Sequence, residues 1–184
     1  MTRNEENCYL RAFEPDDYKT THKWRNDPDV VANVTENVNF VSSEREKLWV
    51  EEKIFNDKME NYWAICDKNT NEMVGYTSIS KINIRNRNAW MGEMVIDEGH
   101  WNKGYELAAN ALVLEFVFDE LGLNRLYTSY LESNEVSKKI FADMGFSVEG
   151  VLREDVYKGG KFHNVEVVSL LKSEYLNLKN SKYD

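Results

Sequence analysis

The chain has 184 residues, of which 42% are hydrophobic, 12% aromatic and 30% charged, with only two prolines. These proportions fit one domain over residues 1–184 with its own core and exclude collagen-like, low-complexity and intrinsically disordered classes. A net charge of −9, from 23 basic and 32 acidic side chains, repels nucleic-acid backbones and anionic membranes and favours cations or amines as partners.

Cys8-Tyr-Leu-Arg-Ala-Phe13 alternates like a short strand, and Glu14-Pro15-Asp16-Asp17 is an acidic helix start. The helix holds Tyr18 to Trp24, and Arg25-Asn26-Asp27-Pro28 breaks it. Ser43-Glu44-Arg45-Glu46 has capping-box spacing and predicts a second helix carrying Leu48, Ile54 and Phe55. Tyr62 to Asp67, Met73 to Ile82 and Ala89 to Ile96 read as successive strands whose short polar connections imply an antiparallel meander.

The loop Asp97-Glu98-Gly99-His100-Trp101-Asn102-Lys103-Gly104 then leads into a helix from Tyr105 to about Leu121, capped by Gly122. A strand over Arg125–Leu131, a helix over Glu135–Met144 and two strands joined at Lys158-Gly159-Gly160-Lys161 complete the order β-α-α-β-β-β-α-β-α-β-β. The unit around residues 89–131 is expected to be a parallel crossover, which makes the fold α+β with a mixed, mostly antiparallel sheet. The longest apolar stretch, Ala111 to Phe118, is interrupted by Glu115, so no segment is expected to span a membrane.

Cys8 and Cys66 stand apart among alternating apolar residues, as small core side chains do. His22, His100 and His163 lie in unrelated segments, so no metal site is expected. Met1-Thr-Arg-Asn-Glu-Glu6 places acids where an export signal has its apolar core, which points to a cytoplasmic location.

A strand that runs into a glycine-bearing loop and a helix offers backbone N–H groups and the positive end of a helix dipole, which suits a pyrophosphate. The same pattern also describes an ordinary βα turn. Its surroundings add to it: Leu10-Arg11-Ala12-Phe13-Glu14-Pro15-Asp16-Asp17, Trp24-Arg25-Asn26-Asp27-Pro28, Gly92-Glu93-Met94-Val95-Ile96, Trp101-Asn102-Lys103-Gly104-Tyr105, Asn134-Glu135-Val136-Ser137 before Met144-Gly145-Phe146, and Leu152-Arg153-Glu154 with Lys158 to Val165. Through these motifs the chain resembles the GNAT superfamily of acetyl-CoA-dependent N-acetyltransferases, in particular the branch of ribosomal-protein and polyamine acetyltransferases called RimJ/RimL-like.

The resemblance implies the GNAT fold, with central parallel strands that splay. It further implies that Met94, Val95 and Ile96 present backbone groups to the pantetheine arm of acetyl-CoA. Trp101, Asn102, Lys103, Gly104 and Tyr105 surround the pyrophosphate in the same comparison, and Asn134 and Ser137 follow on the next helix. Glu106 stands where the family has a small residue and is expected to point outward.

Acetylation requires a neutral amine, whose pKa starts near that of lysine, about 10.4. Glu93 matches the position where many relatives carry a carboxylate; its alternative is a residue on the solvated face of the strand. An N–H near Met94 or Val95 would stabilise the oxyanion. Phe141 occupies the place where many relatives have a proton-donating tyrosine, which leaves Ser137, Tyr130 and Tyr127 as candidate acids. For the acceptor, the fold implies Trp24, Asn26, Glu36, Tyr157 and His163, each with an ordinary structural role as its alternative. The expected acceptor is a small cationic, polyamine-like amine or a protein N-terminus, a homodimer is among the expected assemblies, and a non-catalytic acyl-CoA-binding or protein-interaction member of the fold is the competing reading.

Overall fold

Alternating apolar residues form the strands, and the helices lay one apolar face on each side of them. The computed structural model describes residues 7–35, 40–55 and 59–180. Among them, β2 (Asn61–Asp67), β3 (Met73–Asn83) and β4 (Asn88–Ile96) make the expected antiparallel meander, and β1 (Cys8–Ala12) pairs antiparallel with the free edge of β2. Strand β5 (Arg125–Leu131) joins β4 in parallel, and β6 (Ser147–Lys158) and β7 (Lys161–Leu171) complete one sheet of order β1-β2-β3-β4-β5-β7-β6.

On one face, α1 (Tyr18–Arg25), α2 (Pro28–Asn33) and α3 (Ser43–Phe55) cover Phe13, Ala64, Cys66, Tyr76 and Val95. The other face carries α4 (Tyr105–Glu115), α5 (Glu135–Asp143) and α6 (Lys172–Asn180), over Ile79, Met91, Leu126, Tyr130 and Leu170 and, nearer β1, over Cys8, Ile65, Val74 and Ile96. Both cysteines are buried and free. No helix among the described residues is long and apolar enough to cross a membrane.

Four local features differ from the sequence reading. Pro28 starts a helix rather than only ending one, because Asp27 caps it by accepting the Asp29 N–H at 2.9 Å. The cap of α3 is Ser42, whose Oγ accepts the Arg45 N–H, and Glu46 is buried beside Arg25 at 3.5 Å instead of closing a capping box. The helix after Gly104 is not α-helical to its end: Phe116–Glu120 widens into a π turn in which the Leu121 N–H bonds the Phe116 carbonyl. Helix α6 is an addition, fixed by Tyr175 stacking on Phe118 at 4.9 Å.

Gly75 of β3 stands opposite Ile96 of β4 with no room for a side chain. A β-carbon there would lie 2.3 Å from the Val95 carbonyl oxygen and 2.7 Å from the Ile96 side chain. Gly75→Ala should therefore cost about 1–3 kcal/mol through forced backbone movement, read as a lower urea midpoint at unchanged slope.

Candidate functional site

The site begins with an irregularity in β4. Thr77 pairs with Met94 and Ile79 with Met91, so Ser78 alone opposes both Gly92 and Glu93. This bulge resets the alternation of the strand. Met91 and Ile96, five residues apart, both face α4, while Val95 packs on the α1 side beside Trp24 and Tyr76. Glu93 is turned to that same side, where its Oε1 accepts the Tyr76 hydroxyl at 2.6 Å. Tyr76 is held by the rings of Phe13, Trp24 and Trp49, at 6.0, 6.2 and 5.9 Å. Burial and the neighbouring Glu93 carboxylate push its phenol well above the ordinary value, so it stays a donor.

A second irregularity opens the sheet. Pairing of β4 with β5 is limited to Asn88, Ala89 and Trp90 opposite Arg125, Leu126 and Tyr127. The next carbonyl, of Met91, accepts the buried Thr128 hydroxyl at 2.8 Å, and beyond it the strands diverge. On the far side of β4, the Asp97 N–H bonds the Val74 carbonyl at 2.8 Å. The antiparallel alternation counted from there directs the backbone of Val95 to Tyr76, and that of Met94 and Ile96 into the gap. The Trp101 indole N–H reaching the Ile96 carbonyl at 2.8 Å agrees with this count.

The gap is part of a cleft of about 400 Å³. Trp101, Asn102, Glu106 and Asn110 wall it on the α4 side, and Val30, Val34 and Thr35 at the end of α2. Asn134, Val136, Ser137, Ile140 and Phe141 of the α5 segment line its flank. The cleft thus reaches both faces of the sheet, with Glu93 and the strand edge between them.

At the α4 mouth, Gly104 has φ 84°, a left-handed conformation natural to glycine, and caps the helix with no side chain over its first turn. The N–H groups of that turn carry the positive end of the dipole. Asn102 also has positive φ, 61°, and Lys103 is exposed beside it. Tyr105 contributes only its backbone: its ring is buried and its hydroxyl donates to Asp67. Glu106 is half-buried in the cleft wall, not turned outward as expected, because it follows Tyr105 on the turn whose other side is packed against β1 and β2.

The remaining candidates divide. Asn134 caps α5 by accepting the Ser137 N–H at 3.0 Å, and Ser137 is half-buried in the cleft wall. Tyr130 lines the cleft, but its hydroxyl is donated to Glu166 at 2.7 Å. Burial and that carboxylate raise its pKa, and its ring stacks on Phe141 at 5.6 Å. Trp24 is core, its indole N–H held by Asp97 at 2.8 Å. Asn26 spends its amide on the Val41 N–H and the Val41 and His22 carbonyls. Tyr157 pairs with Phe162, and His163 bonds the Lys158 carbonyl at 3.1 Å, both outside the cleft lining. Glu36 lies outside the described residues.

Several contributors escaped the sequence reading. Tyr76 and Thr128 act through partners 17 and 37 residues away, and only the glycine of Gly92-Glu93 signalled a bulge. Lys158 donates to the Val31 carbonyl at 2.9 Å and to that of Val34, fastening the α2 wall to the last hairpin.

Comparison with known proteins gives these features a family context. The model of the Acetyltransferase (GNAT) domain matches residues 7–147. An uncharacterized N-acetyltransferase, YoaA, of Bacillus subtilis is 30% identical over 119 residues, 65% of this chain and 67% of that protein. The spermidine N(1)-acetyltransferase of Vibrio cholerae is 26% identical over 168 residues, covering 91% of this chain and 95% of its own. Among solved structures, spermidine N-acetyltransferase from Vibrio cholerae in complex with CoA and spermine superposes with a TM-score of 0.85 at 24% identity, over 94% of this chain and 99% of that one.

The tie between Tyr105 and Asp67 yields a pH test. The phenol, with the Thr70 and Asn69 N–H groups, holds the Asp67 carboxyl at about 2, and the same contact pushes Tyr105 up to about 12. A depressed carboxyl contributes stability above its ordinary value of 3.8, and that stability is lost as pH falls toward 2. Tyr105→Phe should raise the Asp67 pKa and shrink the difference in denaturant midpoint between pH 6 and pH 2.5.

Proposed function

The chain belongs to the GNAT acetyltransferase family and is an acetyl-CoA-dependent acetyltransferase, and from that premise we propose that it acetylates a primary amine of the polyamine class by direct attack. The observation that carries the proposal is Glu93, a carboxylate oriented by Tyr76 beside an open strand edge in a cleft that reaches both faces of the sheet. Relatives named spermidine N(1)-acetyltransferase, matching 91% of the chain, support the choice of amine.

In the proposed arrangement acetyl-CoA supplies the acetyl thioester from the α4 side. The first-turn N–H groups of α4, with Lys103, hold its phosphates, and the edge of β4 at Met94 and Ile96 receives the pantetheine arm as an added strand would be received. Glu93 faces the α2 side, where its charge draws in an ammonium group and accepts the proton that must leave before the nitrogen can attack. The Met94 N–H, directed into the gap, stabilises the charge developing on the acetyl oxygen. The fit is physical: a backbone edge without its neighbouring strand and an uncapped helix start are the two surfaces this donor requires.

A homo-oligomer completes the proposal. Strand β6 ends the sheet with ten of its twelve residues exposed, Val148, Val151 and Leu152 among them, and a second copy of the chain would cover it. Light scattering on the purified protein should give at least twice the 21.6 kDa of one chain.

Thiol release from acetyl-CoA, with mass spectrometry of the product, tests the chemistry on spermidine, spermine, an aminoglycoside and a ribosomal-protein N-terminal peptide. Acetylated spermidine is the expected result. Turnover of the peptide alone would overturn the polyamine reading. Glu93→Gln should lower kcat about 100-fold at neutral pH with CoA affinity retained, and Tyr76→Phe should lower it less, about tenfold, by the same route.

A further inference from the structure

Asn110, on the second turn of α4, is a polar residue that the reaction scheme leaves unused. It is 3% exposed, lines the cleft, and its Oδ1 has no hydrogen-bond partner in the protein. A buried carbonyl without a donor is destabilising unless something supplies one. Two hydroxyl donors that line the same cleft are committed elsewhere, that of Thr128 to Met91 and that of Tyr130 to Glu166. Asn110 also follows Glu106 by one turn on the same face of the helix. At 1.5 Å of rise per residue it lies roughly 5–8 Å along the axis from the first-turn N–H groups. A chain running from phosphates at that turn to the edge of β4 passes it.

We propose that the Asn110 Oδ1 accepts a hydrogen bond from an amide N–H of the pantetheine arm of the acyl donor, so that α4 grips the donor twice, by its N-terminus and by this side chain. The inference rests on the donor lying in the cleft as described above, and not on the identity of the amine. Asn110→Leu, which keeps the shape and removes the acceptor, is the first variant; Asn110→Ala is the second.

Calorimetric titration with CoA and with adenosine 3′,5′-bisphosphate, which lacks the arm, provides the readout. CoA affinity should fall about tenfold, equivalent to about 1.4 kcal/mol, while nucleotide affinity is unchanged. The ligand-free leucine variant should melt higher than the wild type by about 2–4 °C, because the unpaired carbonyl is gone. A merely structural asparagine would show the opposite shift in melting and no change in the ratio of the two affinities. An unchanged ratio in either folded variant, or a leucine variant less stable than the wild type, overturns the proposal. Absence of polyamine turnover would overturn the acceptor reading and leave these binding measurements intact.

Discussion

The hydroxyl of Thr128 on the carbonyl of Met91 determines where this sheet stops being a sheet. In a continuous parallel ladder a backbone N–H of β5 would take that carbonyl and carry the pairing onward. Satisfied instead by a side chain of β5, the carbonyl still ties the two strands but no longer carries the backbone ladder onward, and the pairing of β4 with β5 ends after three pairs. The bulge at Gly92 and Glu93 follows within two residues and adds local bend and twist to the same strand. The backbone groups of Met94 and the N–H of Ile96 are left facing a cleft, while the Ile96 carbonyl takes the Trp101 indole N–H, and backbone polar groups must find partners. The binding edge is therefore a consequence of two local departures from regular pairing, each stabilised by groups on the strand adjacent to it.

Charge is distributed along the cleft to match. A chain of net charge −9 is a poor partner for phosphates as a whole, so attraction must be built locally from the α4 dipole, Lys103 and backbone N–H groups. Glu106 sits in the wall of that same mouth; in the proposed arrangement it would oppose an inward phosphate and leave the second turn of the helix to uncharged parts of the donor. On the α2 side the sign reverses, with Glu93 as the carboxylate and the overall acidity of the chain favouring approach of a cation. One cleft thus suits an anion at one mouth and an ammonium at the other.

What the sequence made legible was local. The strand, loop and helix through Gly104 could be read because a glycine before a capless helix start has its meaning within a few residues, and the Asn134 cap was read the same way. The fold places Trp24 and Asn26 near the acceptor side, but their partners, Asp97 and Val41, lie 73 and 15 residues away; with those bonds the two residues join α1 to the loop after β4 and to the segment before α3. The side to which Glu93 points depends on a bulge that inverts strand alternation, so a period of two could not decide between solvent and site. Glu106 was misplaced for a similar reason. Helical phase at a helix start depends on which neighbour is packed inward, and that neighbour is Tyr105, tied to Asp67 on β2.

The proton of the departing thiol can be argued from the same geometry. Tyr130 is a phenol in contact with the position of the missing tyrosine, its ring lying flat on Phe141 at an interplanar angle of 6°. Its hydroxyl is already donated to Glu166, and that carboxylate, with burial, raises its pKa. A phenol so held is a weaker acid than a free one and must break a charge-assisted bond to release its proton. Thiols ionise near 8.5 and amines near 10.4, so in the proposed reaction the attacking nitrogen starts as the stronger base, while the leaving sulfur needs little help at neutral pH. Ser137, in the cleft wall on the first turn of α5, can serve this lesser need as a hydrogen-bond donor without giving up its proton. The phenylalanine at 141 is then compatible with the proposed reaction, in which the demanding proton is the one assigned to Glu93, and Phe141 stacked on Tyr130 gives that flank of the cleft an aromatic wall.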